Sequence, residues 1–153
     1  MLYCLSIMSF SIAIIREITP DENRVALVPE SVKKLTDKGF NVYLEKGAGE
    51  NARYPDSSYR ESGAEVLENA REALSRSQII LKVQPPTPEE IDAITPNSFL
   101  IGFLQHYKYP ERIKKMAERK INAFAMELIP RISRAQSIDA LSSQAAVAGY
   151  KAA

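Results

Sequence analysis

Tryptophan is missing from this chain, and cysteine and histidine occur once each, as Cys4 and His106. A lone cysteine excludes an intrachain disulfide, and no Cys/His spacing suggests a metal site. A reducing compartment suits such a chain. Charge of one sign is also missing. The 20 basic residues are balanced by 19 acidic ones, for a net charge of +1. That balance gives no reason to expect nucleic acid or an anionic lipid surface as a partner. No apolar run is long enough to cross a bilayer. The apolar start, Met1 to Phe10, lacks the basic flank of a signal peptide, and Arg16 closes the stretch early. Residues 1–10 read as an N-terminal extension or part of a first strand, with Met1 and Met8 both open as the true start. Residues 11–153 read as one domain, and 153 residues can bury a real core. There is no internal repeat and no low-complexity tract.

What is present is an alternation of short apolar runs and amphipathic stretches, the pattern of an α/β fold with a mostly parallel sheet flanked by helices. The expected strands are Ser11–Ile15, Asn41–Leu44, Gln78–Val83, Ser98–Leu104 and a buried one at Ile121–Ile129. The expected helices are Pro29–Lys38, Glu68–Ser75, Thr87–Ile94, Pro110–Arg119 and Ser137–Ala153. Gly39 suits a helix C-terminal cap. Pro88 and Pro110 suit first-turn positions, where a missing N–H costs little. The last helix carries no stop signal through Tyr150 to Ala153, which suggests a longer parent chain.

Several expected strands end in polar residues: Arg16 and Glu17, then Lys82, then Gln105 and His106, then Arg131. In a parallel sheet these gather at one edge, where open α/β sheets place their ligands. Arg16, Lys82 and Arg131 together suggest an anion-lined cleft. The richest stretch runs from Pro130 to Gln144, between the last strand and the last helix. Arg131, Gln136, Asp139 and Ser142 put a cation, an amide, a carboxylate and a hydroxyl in one strand-to-helix loop. Gly47-Ala-Gly-Glu-Asn-Ala52 mimics a dinucleotide fingerprint. Pro55 follows too soon for the helix that such a fingerprint needs, so a tight glycine-dependent loop is the better reading. His106 alone reads as a solvated loop side chain, and the scattered tyrosines as packing.

These residues also carry a resemblance. The stretch from Arg131 through Gln136, Asp139 and Ser142 to Tyr150 resembles the signature loop and helix of the NAD(H)-binding component of proton-translocating NAD(P) transhydrogenases. The stretches Arg16–Pro29, Gly47–Ala52 with Tyr59, Gly63-Ala64 and Ile80–Val83 are similar to the N-terminal domain that this component shares with alanine dehydrogenase. The similarity runs from about residue 9 to the end. It implies a Rossmann- or flavodoxin-like N-terminal half of a two-domain protein, whose last helix leads to a nucleotide-binding domain outside this sequence. It further implies an oxidoreductase of the Si-specific, proton-translocating type, passing hydride from NADH to NADP+. On that resemblance NAD(H) is the cofactor, with NADP(H) on a partner component.

The implied partners are the remaining subunits, including a membrane component, and the parent is a homodimer. The implied location is cytoplasmic, held at the inner membrane through those partners. Arg131, Gln136, Asp139 and Ser142 would be the catalytic and cofactor-contacting residues, with Arg131 and Asp139 an oriented charged pair, Gln136 ordering the transfer and Ser142 on the carboxamide. Tyr150 would lie near the nucleotide cleft. Arg24 and Lys82 would line a substrate-like cleft and fit either branch of the superfamily. The alternatives are an alanine-type dehydrogenase and a non-catalytic assembly module. Against the dehydrogenase, its Phe-Leu-His is here Phe103-Leu104-Gln105, and glutamine cannot exchange a proton as imidazole does.

Overall fold

The computed structural model describes residues 9–152. Six strands form one sheet: β1 (Ser11–Ile14), β2 (Asn41–Glu45), β3 (Glu65–Leu67), β4 (Ile79–Leu81), β5 (Phe99–Gly102) and β6 (Asn122–Ala125). Their spatial order is β3-β2-β1-β4-β5-β6, and every pairing is parallel. The order reverses between β1 and β4. At such a point the connections leave in opposite directions and a crevice opens beyond the carboxyl ends of the strands.

The helices are α1 (Pro29–Thr36), α2 (Asp56–Glu61), α3 (Ala70–Ser75), α4 (Pro88–Ala93), α5 (Pro110–Glu118) and α6 (Ala140–Ala152). Strand side chains alternate between faces, and two cores result. Ile12, Ile14, Val42 and Leu44 pack with Val32 of α1 and Tyr59 of α2. Ala13, Ile15, Ile80 and Leu100 pack with Leu74 of α3, Ile91 of α4 and Met116 of α5. Pro29, Pro88 and Pro110 each stand in a first helical turn. Thr87 and Glu90 form a reciprocal capping box on α4, satisfying two amide groups the helix itself leaves free.

Residues 1–8, and with them a possible first strand at the N-terminus, lie outside the described residues; Ser9 and Phe10 are coil and β1 begins at Ser11. The Gly47 loop is built as a tight turn. Gly47 has φ +76, and a Cβ on Gly49 would collide with the Tyr59 ring and the Tyr54 carbonyl. The Tyr59 hydroxyl donates to the Leu27 carbonyl at 2.8 Å and anchors α2 from within the core. Sequence periodicity gives neither α2 nor β3, which are 6 and 3 residues long. Elements that short carry too few repeats of either period to register.

Two expected elements are corrected. The buried strand at Ile121–Ile129 is instead an edge strand that ends at Ala125 and turns into a 3-10 segment, Met126–Leu128. Asn122, Ala123 and Phe124 are exposed. Helix α5 contacts β6; Phe99 and Phe124 sit with ring centres 6.2 Å apart, and Phe124 borders a shallow apolar depression with Ile101 and Ile138. The helix expected from Ser137 starts later. Ser133–Ile138 is 3-10, Asp139 belongs to neither helix, and α6 begins at Ala140. Its apolar residues Leu141, Val147 and Tyr150 are exposed rather than packed.

Gly102 at the end of β5 tests how closely β5 and the chain leaving β4 approach. A Cβ there would run into the carbonyl oxygen of Lys82, just past β4. Gly102→Ala is expected to destabilise the chain by about 1–3 kcal/mol, the cost of forcing atoms into a packed interior. Gly149→Ala, in open space on α6, should be neutral or stabilise by up to about 1 kcal/mol. Urea denaturation of both variants checks the contrast.

Candidate functional site

Every strand carries its chain toward the same edge, so Arg16, Lys82, Gln105 and Arg131 all follow carboxyl ends. The four do not meet in one cleft, although Lys82 and Gln105 line one depression together. Arg16 uses its backbone N–H on the Glu45 carboxylate at 2.8 Å. The Lys82 ammonium is buried, 3.0 Å from Glu90 and 3.6 Å from Glu17. Removing these charges from water is tolerable only because they face one another. Arg16, Lys82 and Arg131 therefore do not form the expected anion-lined cleft: the buried Lys82 brings two carboxylates with it, and Arg131 opens onto a different depression.

Around Gln105 the strand ends are held by carboxylates. Glu17 accepts the consecutive N–H groups of Val83 and Gln84 at 2.6 and 3.1 Å. Glu127 does the same for Leu104 and Gln105, at 3.1 and 2.7 Å. Burial pushes the Glu17 carboxyl up, against the opposing pull of Lys82. Gln105 has φ +47, a left-handed conformation uncommon outside glycine and concentrated at functional sites. Its side chain donates to Gln84 at 3.0 Å, and Gln84 donates to Glu22 at 2.6 Å. Glu22 is gripped side-on by Arg24, at 2.8 and 2.6 Å. Arg24 also donates to Gln144 of α6 at 3.1 Å.

These groups border an open cleft of about 680 Å³, lined by Arg24, Gln84, Gln105 and Gln144 with Phe103, Tyr107, Leu128 and Leu141 among others. His106 stands at its rim, 3.9 Å from Glu127. Lys82 belongs instead to a smaller neighbouring depression with Thr87, Lys108 and Arg112. Gln84 and Gln105 border both, so Arg24 and Lys82 do not line a common cleft.

The loop after β6 makes a separate depression of about 310 Å³. It is lined by Arg131, Gln136, Asp139 and Ser142 with Ile132, Ser133 and Ala135. All four residues expected from the sequence thus meet in one place. Asp139 accepts from the Ser142 hydroxyl at 2.6 Å and from its backbone N–H at 3.0 Å. That is an N-cap on α6, and these bonds hold the Asp139 carboxyl below its ordinary value. Arg131 forms no ion pair with Asp139; among the described residues the Arg131 and Gln136 side chains make no hydrogen bond. Tyr150 lies far along α6 and is 83% exposed.

Residues 13–148 match the family described as alanine dehydrogenase/PNT, N-terminal domain. The chain belongs to that family. It is 41% identical to the NAD(P) transhydrogenase subunit alpha of Haemophilus influenzae, over 92% of this chain and 27% of that protein. It is 43% identical to the first part of the NAD(P) transhydrogenase subunit alpha of Rhodospirillum rubrum, over 92% of this chain and 38% of that one. A solved transhydrogenase from Sinorhizobium meliloti superimposes with a TM-score of 0.87 at 44% identity, covering 92% of this chain and 42% of that one. A solved L-alanine dehydrogenase gives 0.74 at 32% identity, over 77% and 32%. The chain therefore spans well under half the length of these relatives.

Sequence reasoning found Arg24 but missed Glu22, Gln84 and Glu127. An acidic residue two before an arginine, and polar residues just past strand ends, were the available signals. Glu22 sets a pH prediction. Its hydrogen bonds from Arg24 lower it from 4.5 to about 2. A depressed carboxylate contributes stability that is fully present above pH 4.5 and is lost as the pH falls toward 2. Arg24 is partly exposed, so solvent screens the pair, and about 1–2 kcal/mol is expected. Glu22→Gln should lower stability by that amount at neutral pH and flatten the acid limb of the stability curve. Denaturation from pH 7 to pH 2 measures both, and an unchanged acid limb would count against the pair.

Proposed function

We propose that this chain is part of a transhydrogenase: the portion of its NAD(H)-binding component that positions nicotinamide for hydride transfer to NADP+. The observation that carries this proposal is the gathering of Arg131, Gln136, Asp139 and Ser142 around one depression after β6, in a chain whose relatives are named transhydrogenase alpha subunits. The residue types suit a nicotinamide end. Arg131 and Gln136 keep free donors, Gln136 and Asp139 supply acceptors, and the Asp139–Ser142 contact fixes both side chains before any ligand arrives.

Bound NAD(H) supplies the hydride; the chain's own residues orient and exclude. Hydride transfer between two nucleotides needs the rings aligned and in contact, so positioning is the main contribution a protein can make. Arg131 would bind polar atoms at the nicotinamide end, Gln136 would set the ring's approach, and Ser142 would meet the carboxamide. Asp139 would hold Ser142 in place. None of them is expected to exchange a proton. Tyr150 would contact the nucleotide from further along α6. The second nucleotide, NADP(H), would sit on a partner component, and proton movement would belong to a membrane component. On the same proposal the parent is a homodimer of the Si-specific, proton-translocating type, placed on the cytoplasmic side of the inner membrane. A nucleotide-binding domain would follow α6.

A second reading, an alanine-type dehydrogenase, is favoured by the likeness to a solved L-alanine dehydrogenase. The cleft residues speak against it, because Glu22 already occupies Arg24 and Glu17 and Glu90 already occupy Lys82.

Two outcomes are expected. By itself this chain should bind NADH weakly, since among the described residues no glycine-rich loop opens a helix toward a pyrophosphate; fluorescence titration giving a micromolar constant would move the nucleotide site elsewhere in the chain. Placed in a complete transhydrogenase, Gln136→Asn or Asp139→Asn should slow hydride transfer by about ten- to a hundredfold while changing NADH affinity far less, the signature of an interaction felt in the transition state. Single-turnover kinetics beside a melting curve decides. A lowered melting temperature with an unchanged rate would leave Asp139 a helix cap only.

A further inference from the structure

Strand β6 is the last in the sheet, and its outer side meets no other strand. The direction of its backbone groups follows from one bond. The Asn122 N–H donates inward to the Ser98 carbonyl at 2.9 Å. Across a trans peptide the carbonyl and the N–H point opposite ways, so the Ile121 carbonyl faces outward. The pairing with β5 runs on in register to Gly102 and Ala125, and within a ladder successive residues bond to alternate sides. The N–H and carbonyl of Ala123 and the N–H of Ala125 therefore face outward too. Among the described residues no hydrogen bond outside the ladders engages any of these four groups.

The other outermost strand is guarded by charge. Glu65 of β3 pairs with Arg76 at 3.0 Å, and Lys46 and Glu68 pair at 3.0 Å just past β2 and β3. Charge, proline and bulges are the usual protection of such a strand. Asn122-Ala-Phe-Ala125 has none of the three. Phe124 is the register partner of Ile101, and Phe99 stands two residues before Ile101, so all three share a face. Phe124 is 55% exposed and Phe99 39%. The open groups also say what fits. From Ile121 to Ala125 they run acceptor, donor, acceptor, donor. A second copy, turned about a two-fold axis through Ala123, sets a donor against an acceptor at every place. Ala123 then exchanges two bonds with its counterpart, and each Ala125 N–H meets an Ile121 carbonyl. An axis perpendicular to the sheet keeps each face on its own side, so Phe124 lies diagonal to its counterpart, within reach of an aromatic ring. The two Phe99–Phe124 pairs join into one apolar strip. No charge on β6 opposes the approach, and a net charge of +1 gives little repulsion.

We propose that the outer side of β6 is an interface between two copies of this chain, in which β6 pairs antiparallel with β6 about Ala123 and two six-stranded sheets become one. Such a contact is isologous and closes at two copies. It rests on the sheet alone and on no nucleotide chemistry.

Sedimentation equilibrium of the full 153-residue chain tests this, in reducing buffer so that Cys4 cannot cross-link. Reversible dimerisation is expected with a constant of about 10–100 µM, weak because a short strand makes a small contact. Amide exchange followed by NMR should slow at Ala123 and Ala125 as the concentration rises through that constant. Ala123→Pro removes an outward N–H and keeps the bonds of Asn122 and Phe124 to β5, since proline is tolerated on the open side of an outermost strand. It should weaken dimerisation by at least about tenfold. Phe124→Lys, at an exposed position, sets like charges across the axis and should do the same; it decides the matter if Ala123→Pro does not fold. Val147→Lys, on the exposed part of α6, should change the constant by less than about twofold. A chain still monomeric at about 1 mM overturns the proposal. So does a dimer that either folded β6 variant leaves intact, a dimer lost on Val147→Lys, unchanged exchange at Ala123 and Ala125, or assembly beyond two copies. Each of those results leaves the transhydrogenase proposal standing, including a homodimer formed through other parts of the parent.

Discussion

The edge of the sheet depends on one arrangement: a buried carboxylate from one strand end accepting two successive backbone N–H groups from the next. Glu17, just past β1, does this for Val83 and Gln84 past β4. At a switch point the two strands part company, and the N–H groups beyond their last ladder bond have no strand to meet. Left buried and unpaired, each would cost about 1–3 kcal/mol. Glu17 satisfies two of them, and Lys82 together with Glu90 supplies the charge context that makes a buried carboxylate tolerable. Glu90 in turn completes the cap of α4. One carboxylate thus links strand pairing, helix capping and the direction in which Gln84 leaves the sheet.

The same device recurs one strand over. Glu127 comes from the segment after β6 and grips the turn after β5. Its effect is to hold Gln105 in a backbone conformation it would rarely adopt alone. The two clamps bring Gln84 and Gln105 within 3.0 Å of each other. Neither clamp touches the Arg131 loop. The edge is therefore divided into a carboxylate-braced cleft and a loop whose cation and amide have no partners among the described residues.

How much of this was legible in the sequence follows from range. The parallel α/β pattern is local and repetitive, so the strands at 11–15, 41–44, 78–83 and 98–104 agree with the structure to within two residues at each end. The loop from Arg131 to Ser142 was legible because its polar groups are contiguous, and the structure does bring all four to one depression. The failures have a common cause. Glu17 meets Val83 across 66 residues, Gln84 meets Glu22 across 62, and Glu127 meets Leu104 across 23. No periodicity encodes such pairs. Arg16, Lys82 and Arg131 looked like one cationic cleft because a sequence shows where side chains start and not what they meet. The strand expected at 121–129 failed for a different reason. An apolar run usually means burial on both faces, but β6 is an edge strand whose Asn122, Ala123 and Phe124 are exposed.

Exposure also constrains what α6 can be. A helix of 13 residues that makes its own cap through Asp139, but exposes Leu141, Val147 and Tyr150, gains little from packing. Isolated helices near that length are marginal in water. The cap at Asp139 and the Arg24–Gln144 bond are then a large share of what fixes its first turns. Arg24 is held by Glu22, and Glu22 by Gln84, so the start of α6 is tied back to the braced end of β4. The depression of the Arg131 loop lies against those same first turns. Its geometry therefore rests on the carboxylate clamps even though it contacts neither of them.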